Sequence, residues 1–499
     1  MRHPLAVIVS VGVVFLYLHL FILPATPVFT WGDQSIFLDE ATRMLRGELI
    51  YRDFFEFVFP GLDTYYFALF SVFGPHAWVP DASLVLIGVA LTWVVSLIAA
   101  KVVKGAPAYL AGLLFLTFPF QSLLDGTHHW YSTFAVMAAL AVLMESRSRT
   151  RLAAAGALCG LAVWFTQSRG AGAMLGFAAY LIWERRQRRA SWKSLLVQEG
   201  CLSGPFLIVT LASNAYFVWK AGLERFWYCT VTFVLKYYPA EPYNNWRAYL
   251  GPPPHFAPWP RLIEMGIWFA INALLPLVYV LFFVRYWRQR RDSGEPWDRL
   301  MLVNLAGLFL FLSVAPSPGY SRLCAVSPPA FILLAWFATR PGWLERWLVR
   351  LLWVAALALL IVEPIYRQTH WRTVLDLPTG HTAYLDRGSL ERFDWIRTHV
   401  KTGDYFFGDT LACFALGLRE PSEIPFVTAS DYTRPEQVER LVNDLEAKQV
   451  PWILWYSGLD RPLPHIRGRS HVEPLHAYLQ RCCHLAKTFS NGDQIWQRN

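Results

Sequence analysis

Long apolar runs alternate along the chain with short clusters rich in arginine, and this alternation limits the fold more than any motif does. The runs lie at about 5–23, 63–73, 82–100, 107–121, 130–144, 152–166, 171–183, 199–219, 262–284, 300–315, 323–338 and 348–366. A helix needs about 20 apolar residues to cross a bilayer. The 63–73 run is too short and is expected to be re-entrant or interfacial, which leaves about eleven transmembrane helices. Only 16% of the 499 residues are charged, against roughly 25% in a soluble domain. A polytopic α-helical membrane protein is the expected fold.

The basic clusters set the orientation. Lys101 and Lys104, SRSRTR (146–151), ERRQRRASWK (184–193), RYWRQRR (285–291) and RPGWLERWLVR (340–350) all fall on one side by alternation. With the N-terminus inside, that side is the cytoplasm, where short loops retain Lys and Arg. The net charge of +9 is explained by these loops, so nucleic acid is not an expected partner. The first apolar run is longer than a signal-peptide core of roughly 7–15 residues. No small-x-small site follows before Trp31, so this run reads as an uncleaved first helix of an inner (plasma) membrane protein. Seven cysteines show neither a C-x-x-C pair nor a zinc-like spacing, so no metal centre or disulfide framework is expected.

The same alternation puts three segments outside: a first loop at about 25–80, the aromatic stretch Tyr237–Pro260, and everything after about Tyr366. Two domains are expected, a membrane module at 1–366 and a small C-terminal α/β extracytoplasmic domain at 367–499. In the tail, 388–400 and 434–450 have helical spacing with charged faces. GDYFFGD and PWILWYS read as buried strands, and the end of the chain reads as a hairpin turning at Asn491-Gly492.

WGDQSIFLDEATRMLRGELIYRDFFEFVFPG (31–61) concentrates acids just where the chain first leaves the membrane. Phe37, Ala41, Met44 and Leu45 form one apolar helix face, and Gly47 is a plausible stop. On structural grounds Asp33 is the N-cap, Asp39 and Arg43 form a solvated i,i+4 pair, and Glu40 lies on the charged flank. On chemical grounds, carboxylates at a membrane boundary are what a general base for a lipid-linked substrate requires.

An acidic first outer loop, an amphipathic helix ending at Arg43-x-x-x-Gly47, then Tyr51-Arg52-Asp53-Phe54 and Pro60-Gly61, resembles the GT-C glycosyltransferases. The branch it is most similar to includes the protein O-mannosyltransferases and the lipid A aminoarabinose transferase. The resemblance implies transfer of a sugar from a polyprenyl-phosphate carrier to an acceptor hydroxyl on the outer face. The acceptor is a lipid, a glycan or a protein. In that family an Asp-Glu pair precedes Ala-Arg-x-Met by some eight residues. Laying Ala41-Thr42-Arg43-Met44 on that ending places Asp33 on the catalytic Asp, and Gln34 stands where Glu is usual. Asp39-Glu40 repeats the dipeptide at another place, so both remain candidates for the base, with Asp33 favoured. YRDFFEFVFPG (51–61), with Asp53 and Glu56, is expected to be a return path that lines the cavity, and Arg52 and Asp53 on it are substrate-binding candidates.

Elsewhere the resemblance is looser. His128 and His129 stand where the family often has an acidic residue, and a divalent cation there is left open. Arg169 replaces a family Lys, Tyr237 is a candidate for holding lipid phosphate or sugar, and Arg322 with Pro329 matches a family pattern for the carrier phosphate. The implied mechanism is one displacement with inversion: Asp33 as base, Arg322 and Arg169 on the departing phosphate. The rival reading, a transporter or flippase of a lipid-linked sugar, lacks the repeated half such folds carry.

Overall fold

Long apolar runs make most of the chain helical, and interior prolines such as Pro205 and Pro364 are accommodated within long helices. The computed structural model describes residues 2–29, 32–251, 261–291, 294–340, 342–460 and 471–499. In chain order the first helices are α1 (Arg2–Leu20), α2 (Gln34–Leu45), α3 (Gly61–Phe73), α4 (Trp78–Ala99) and α5 (Pro107–Phe115). They are followed by α6 (His128–Glu145), α7 (Arg149–Phe165), α8 (Gln167–Arg188) and α9 (Trp192–Ala221). Among the described residues, five helices are long and apolar enough to cross a membrane: Trp78–Ala99, Trp192–Ala221, Met265–Gln289, Trp297–Val314 and Arg346–Thr369. Leu5–Leu20, Pro107–Leu123 and Pro328–Ala338 are shorter apolar helices.

The chain divides into two compact units. The first comprises Met1–Leu23, Ala82–Tyr216 and Asn245–His370. Its core gathers Trp130, Phe177, Tyr279 and Trp336, each at most 1% exposed. Trp130 also satisfies its indole N–H on the Leu123 carbonyl at 3.1 Å, as a buried indole must. Helix packing here is close enough to need glycine: a Cβ on Gly156 of α7 would sit 1.9 Å from the Leu202 carbonyl oxygen of α9. Gln368, near the end of helix Trp343–Thr369, donates to the Leu18 and Phe21 carbonyls at 2.7 and 2.8 Å and so seals the end of α1. Between α6 and α7, Arg147 pairs with Asp298 at 2.5 Å, and Tyr180 donates to the same carboxylate at 2.6 Å.

The second unit comprises Pro24–Asp81, Phe217–Asn244 and Trp371–Asn499. Its largest sheet has the order Phe406–Phe407, Trp452–Trp455, Gln494–Arg498, Cys483–Thr488, with the first pair parallel and the others antiparallel. Gly492 turns the terminal hairpin at φ 87°. Helices Arg387–His399, Pro435–Ala447 and Glu473–Cys482 accompany the sheet. Leu441, Leu445 and Leu475, from the last two of these helices, are at most 1% exposed.

α2 packs between α3 and helix Thr410–Leu416, with Ser35 and Thr410 hydroxyls 2.8 Å apart. It ends as its sequence predicts, with Gly47 at φ 92° just past the C-cap. The expected solvated flank is not there. Asp39, Glu40 and Arg43 are 1%, 2% and 3% exposed. Arg43 pairs with Glu48 at 2.7 Å rather than with Asp39, and it donates to the Ser422 carbonyl at 3.0 Å. The charged face of α2 is covered by chain from far along the sequence.

Candidate functional site

A narrow cleft in the second unit has Glu40 and Glu56 among five aromatic rings, Phe55, Phe57, Phe233, Phe426 and Tyr432. α2 delivers Glu40, and the 49–60 return path delivers Glu56 and Phe57. That path is held by a tight turn: Tyr51 takes φ 67°, and Asp53 accepts the Leu49 N–H at 2.7 Å. The Tyr51 hydroxyl then donates to the Val58 carbonyl at 2.5 Å. Edge and tilted contacts fix the rings, with Phe57 to Tyr238 at 4.9 Å and Phe233 to Tyr432 at 5.3 Å between centroids.

Three carboxyls meet beneath these rings. Glu56 accepts the Phe57 and Val58 N–H groups at 2.6 and 2.8 Å through one oxygen. Burial, and after it Asp63, still push the Glu56 carboxyl up to about 8. Burial followed by the charges of Glu56 and Asp63 raises Glu40 as well. Asp63 is 0% exposed at the head of α3, and its side chain faces Glu40. Like charges this close do not all ionise, so the group shares protons and presents O–H donors as well as acceptors. Aromatic faces with carboxyls and the amide of Gln437 are a suitable lining for a polar ring such as a sugar.

Asp33 lies beside this cleft. It occupies the N-cap position of α2, exposed, with no side-chain capping bond, and its charge acts on Glu56 and Tyr432. Gln34 is 4% exposed. Asp39 points to a different neighbourhood, beside Arg43 and the buried Glu420, and burial pushes it up to about 7. Arg52 and Asp53 pair with each other at 2.6 Å and line a separate polar cleft. Tyr237 is sandwiched by cations, with the Arg434 guanidinium 4.1 Å and the Lys236 ammonium 5.1 Å from its ring centroid. Its neighbour Tyr238 is the one that reaches Phe57. Trp31 and residues 252–260 of the aromatic loop lie outside the described residues.

The first unit holds the remaining candidates. His128 Nδ1 is 2.7 Å from the Thr166 hydroxyl, and the His128 and His129 rings are 4.1 Å apart. Arg169, 1% exposed, donates to the His129 carbonyl at 2.8 Å and the Ser132 hydroxyl at 3.2 Å. Arg322 is half-buried, donates to the Ser317 carbonyl at 3.2 Å, and acts on both histidines as Arg169 does. Four residues from three helices, two of them arginines, thus converge. Among the described residues no group of three or more His, Cys, Asp or Glu side chains is placed to hold a metal ion.

Sequence reasoning put Glu56 on the cavity-lining return path and missed Asp63, Tyr432 and Glu420 as site residues. Glu56 had a signal: a lone acid inside the aromatic run FFEFVF is costly to bury without a use or a partner. Tyr432 and Glu420 had none, since only the fold brings them to the first loop.

No protein-family model matches the chain, and no curated protein does. Solved structures do. ArnT from Cupriavidus metallidurans bound to undecaprenyl phosphate superposes with a TM-score of 0.55 at 13% identity, over 98% of this chain and 96% of that one. The archaeal oligosaccharyltransferase AglB from Archaeoglobus fulgidus, in complex with an inhibitory peptide and a dolichol-phosphate, gives 0.53 at 12% identity, over 91% and 69%. The apo form of the Archaeoglobus fulgidus oligosaccharyltransferase gives 0.52 at 11% identity, over 90% and 69%. The chain carries the fold of the GT-C membrane glycosyltransferases.

Proposed function

We propose that this chain is a polyprenyl-phosphate-sugar-dependent glycosyltransferase acting on the outer face of a plasma membrane. The observation that carries this reading is the aromatic cleft with two carboxyls beside Asp33, in a chain of this fold. Asp33 takes the proton of an acceptor hydroxyl as that oxygen bonds to the anomeric carbon. The bond from that carbon to the carrier phosphate breaks, and the phosphate leaves with the electron pair. One displacement inverts the anomeric centre. Arg169 and Arg322 stabilise the phosphate charge as it develops, a role suited to guanidinium groups.

In this reading about eleven helices cross the bilayer, with the N-terminus cytoplasmic. Residues 1–366 form the membrane module and 367–499 an extracytoplasmic α/β domain that joins the outer loops. The donor is a lipid-linked hexose or pentose, and the acceptor is a lipid, glycan or protein. The test uses purified protein in proteoliposomes with a polyprenyl-phosphate sugar carrying a labelled sugar. Label covalently bound to an extracted acceptor supports the reading. Label that changes leaflet while still on its carrier supports a flippase instead.

A further inference from the structure

The second unit holds another cleft, wider and polar, of about 620 Å³. Its wall combines the end of α2, the 48–53 turn, and side chains from Tyr405 to Lys448. Most of its charges are already matched. Arg43 pairs with Glu48, Arg52 with Asp53, and Arg440 holds Glu423 through two contacts of 3.0 Å. Asp444 accepts the Ser422 hydroxyl at 2.7 Å.

Three cations remain without a carboxylate partner among the described residues. Arg46 donates to the Leu418 carbonyl at 2.9 Å and to that of Gly417 at 3.5 Å, which occupies a minority of its donors. Lys448 donates to the Pro421 carbonyl and lies 5.5 Å from the centre of the Tyr405 ring. Arg419 is exposed on the same wall. The fourth unmatched group has the opposite character. Glu420 lines the cleft at 4% exposure, with the Arg43 charge and the weak Cys413 thiol donor beside it, and no N–H or O–H group reaches either carboxyl oxygen among the described residues. The Cys413 thiol also donates to the Phe406 carbonyl at 3.8 Å. A buried carboxyl without an N–H or O–H donor is unfavourable until something supplies one.

We propose that this cleft binds a phosphorylated sugar, with Arg46, Arg419 and Lys448 on the phosphate and Glu420 on the ring hydroxyl or amino hydrogens. Guanidinium groups match phosphate oxygens two at a time, while an ammonium adds a compact charge. Glu420 argues against a bare anion, because a ligand must bring hydrogen-bond donors close to its charge. Tyr405 adds an aromatic ring to the same lining. The site is separate from the cleft beside Asp33, and its occupancy is measured without any sugar donor, so it does not rest on the transferase reading.

The test is calorimetric titration of the full chain in detergent with glucose 6-phosphate, glucose and inorganic phosphate. Glucose 6-phosphate is expected to bind at least tenfold more tightly than either of the others. Arg419→Glu is expected to lose at least tenfold for glucose 6-phosphate while its melting temperature and its affinity for glucose stay unchanged. Glu420→Gln is expected to narrow the preference for glucose 6-phosphate over inorganic phosphate. Should that variant fail to fold, the exposed Arg419 carries the test alone. Equal affinity of wild type and Arg419→Glu for glucose 6-phosphate overturns the proposal, as does inorganic phosphate binding as tightly as the sugar phosphate. A parallel titration with dioctanoyl phosphatidylinositol 4-phosphate identifies the source. Tighter binding of that lipid, lost in Arg419→Glu, supports the site and points to a lipid headgroup, whereas tighter glucose 6-phosphate supports a soluble ligand.

Discussion

Asp39 and Glu420 are buried acids on one side of α2, with Arg43 between them and Glu48 already using that cation. Burial, opposed by Arg43 and Arg46, holds the Asp39 carboxyl at about 7 in the folded chain, against 3.8 in its ordinary state. Folding therefore disfavours the charged form. The cost is absent below about pH 4, grows as the pH rises towards 7, and is fully present above it. A rise from 3.8 to about 7 corresponds to a loss on the order of 4 kcal/mol once the group is charged. Asp39→Asn is expected to raise the melting temperature in detergent at pH 8 by several degrees, with the gain vanishing near pH 4. A gain equal at both pH values would show that packing and not charge is responsible. Arg322 offers a second residue-level prediction. It is half-buried and donates to the Ser317 carbonyl at 3.2 Å and to the Ser317 hydroxyl, and Arg322→Gln, which keeps a polar donor at that place, is expected to hold its melting temperature close to that of the wild type. Its affinity for undecaprenyl phosphate should fall about tenfold or more, the scale of one charge-assisted contact; unchanged affinity would remove Arg322 from the phosphate role. The position of Asp33 at the head of α2 was legible in the sequence, because helix starts have local signals. The burial of Asp39 and Glu40 was not, because Glu420 lies beside Asp39 and Phe233, Ile424 and Tyr432 line the cleft at Glu40, all from far along the chain.

Among elements, α7 and α9 show how tightly the membrane-type helices pack. Gly156 has no room for a methyl group against the Leu202 carbonyl, while a Cβ on the exposed Gly200, two residues before Leu202 on α9, meets nothing within 4 Å. Gly156→Ala is expected to lower stability by about 1–3 kcal/mol, the usual range for overpacking. Gly200→Ala is expected to be neutral or stabilising by up to about 1 kcal/mol, as helix propensity dictates. Melting temperatures of the two variants in one detergent make the comparison, and equal losses would contradict the packing. Elements with strong local codes were readable in advance. The spacing in 388–400 and 434–450 corresponds to helices Arg387–His399 and Pro435–Ala447, and Asn491-Gly492 does turn the last hairpin. The face that each element buries was less readable. One apolar stripe on α2 announced one partner, yet the helix has two. Its second face is closed by ion pairs and carbonyl contacts, which leave no periodic signature.

For the whole molecule, apolar runs and basic loops predicted a helical membrane protein, and the superposition on ArnT over 98% of the chain at 13% identity agrees with that class. A fold survives such divergence because burial patterns constrain it more loosely than chemistry constrains a site. For the same reason the acceptor is not readable from the first loop, since the residues lining both clefts come from segments hundreds of positions apart. The account stands on Asp33 as the base. The most direct measurement compares wild type and Asp33→Asn in proteoliposomes, following transfer of labelled sugar from a polyprenyl-phosphate donor to an extracted acceptor. Asp33→Asn is expected to keep its membrane insertion and melting temperature while transfer falls by roughly 10²–10⁴-fold, the usual weight of a general base. Transfer at the wild-type rate by a correctly inserted Asp33→Asn protein would contradict the account.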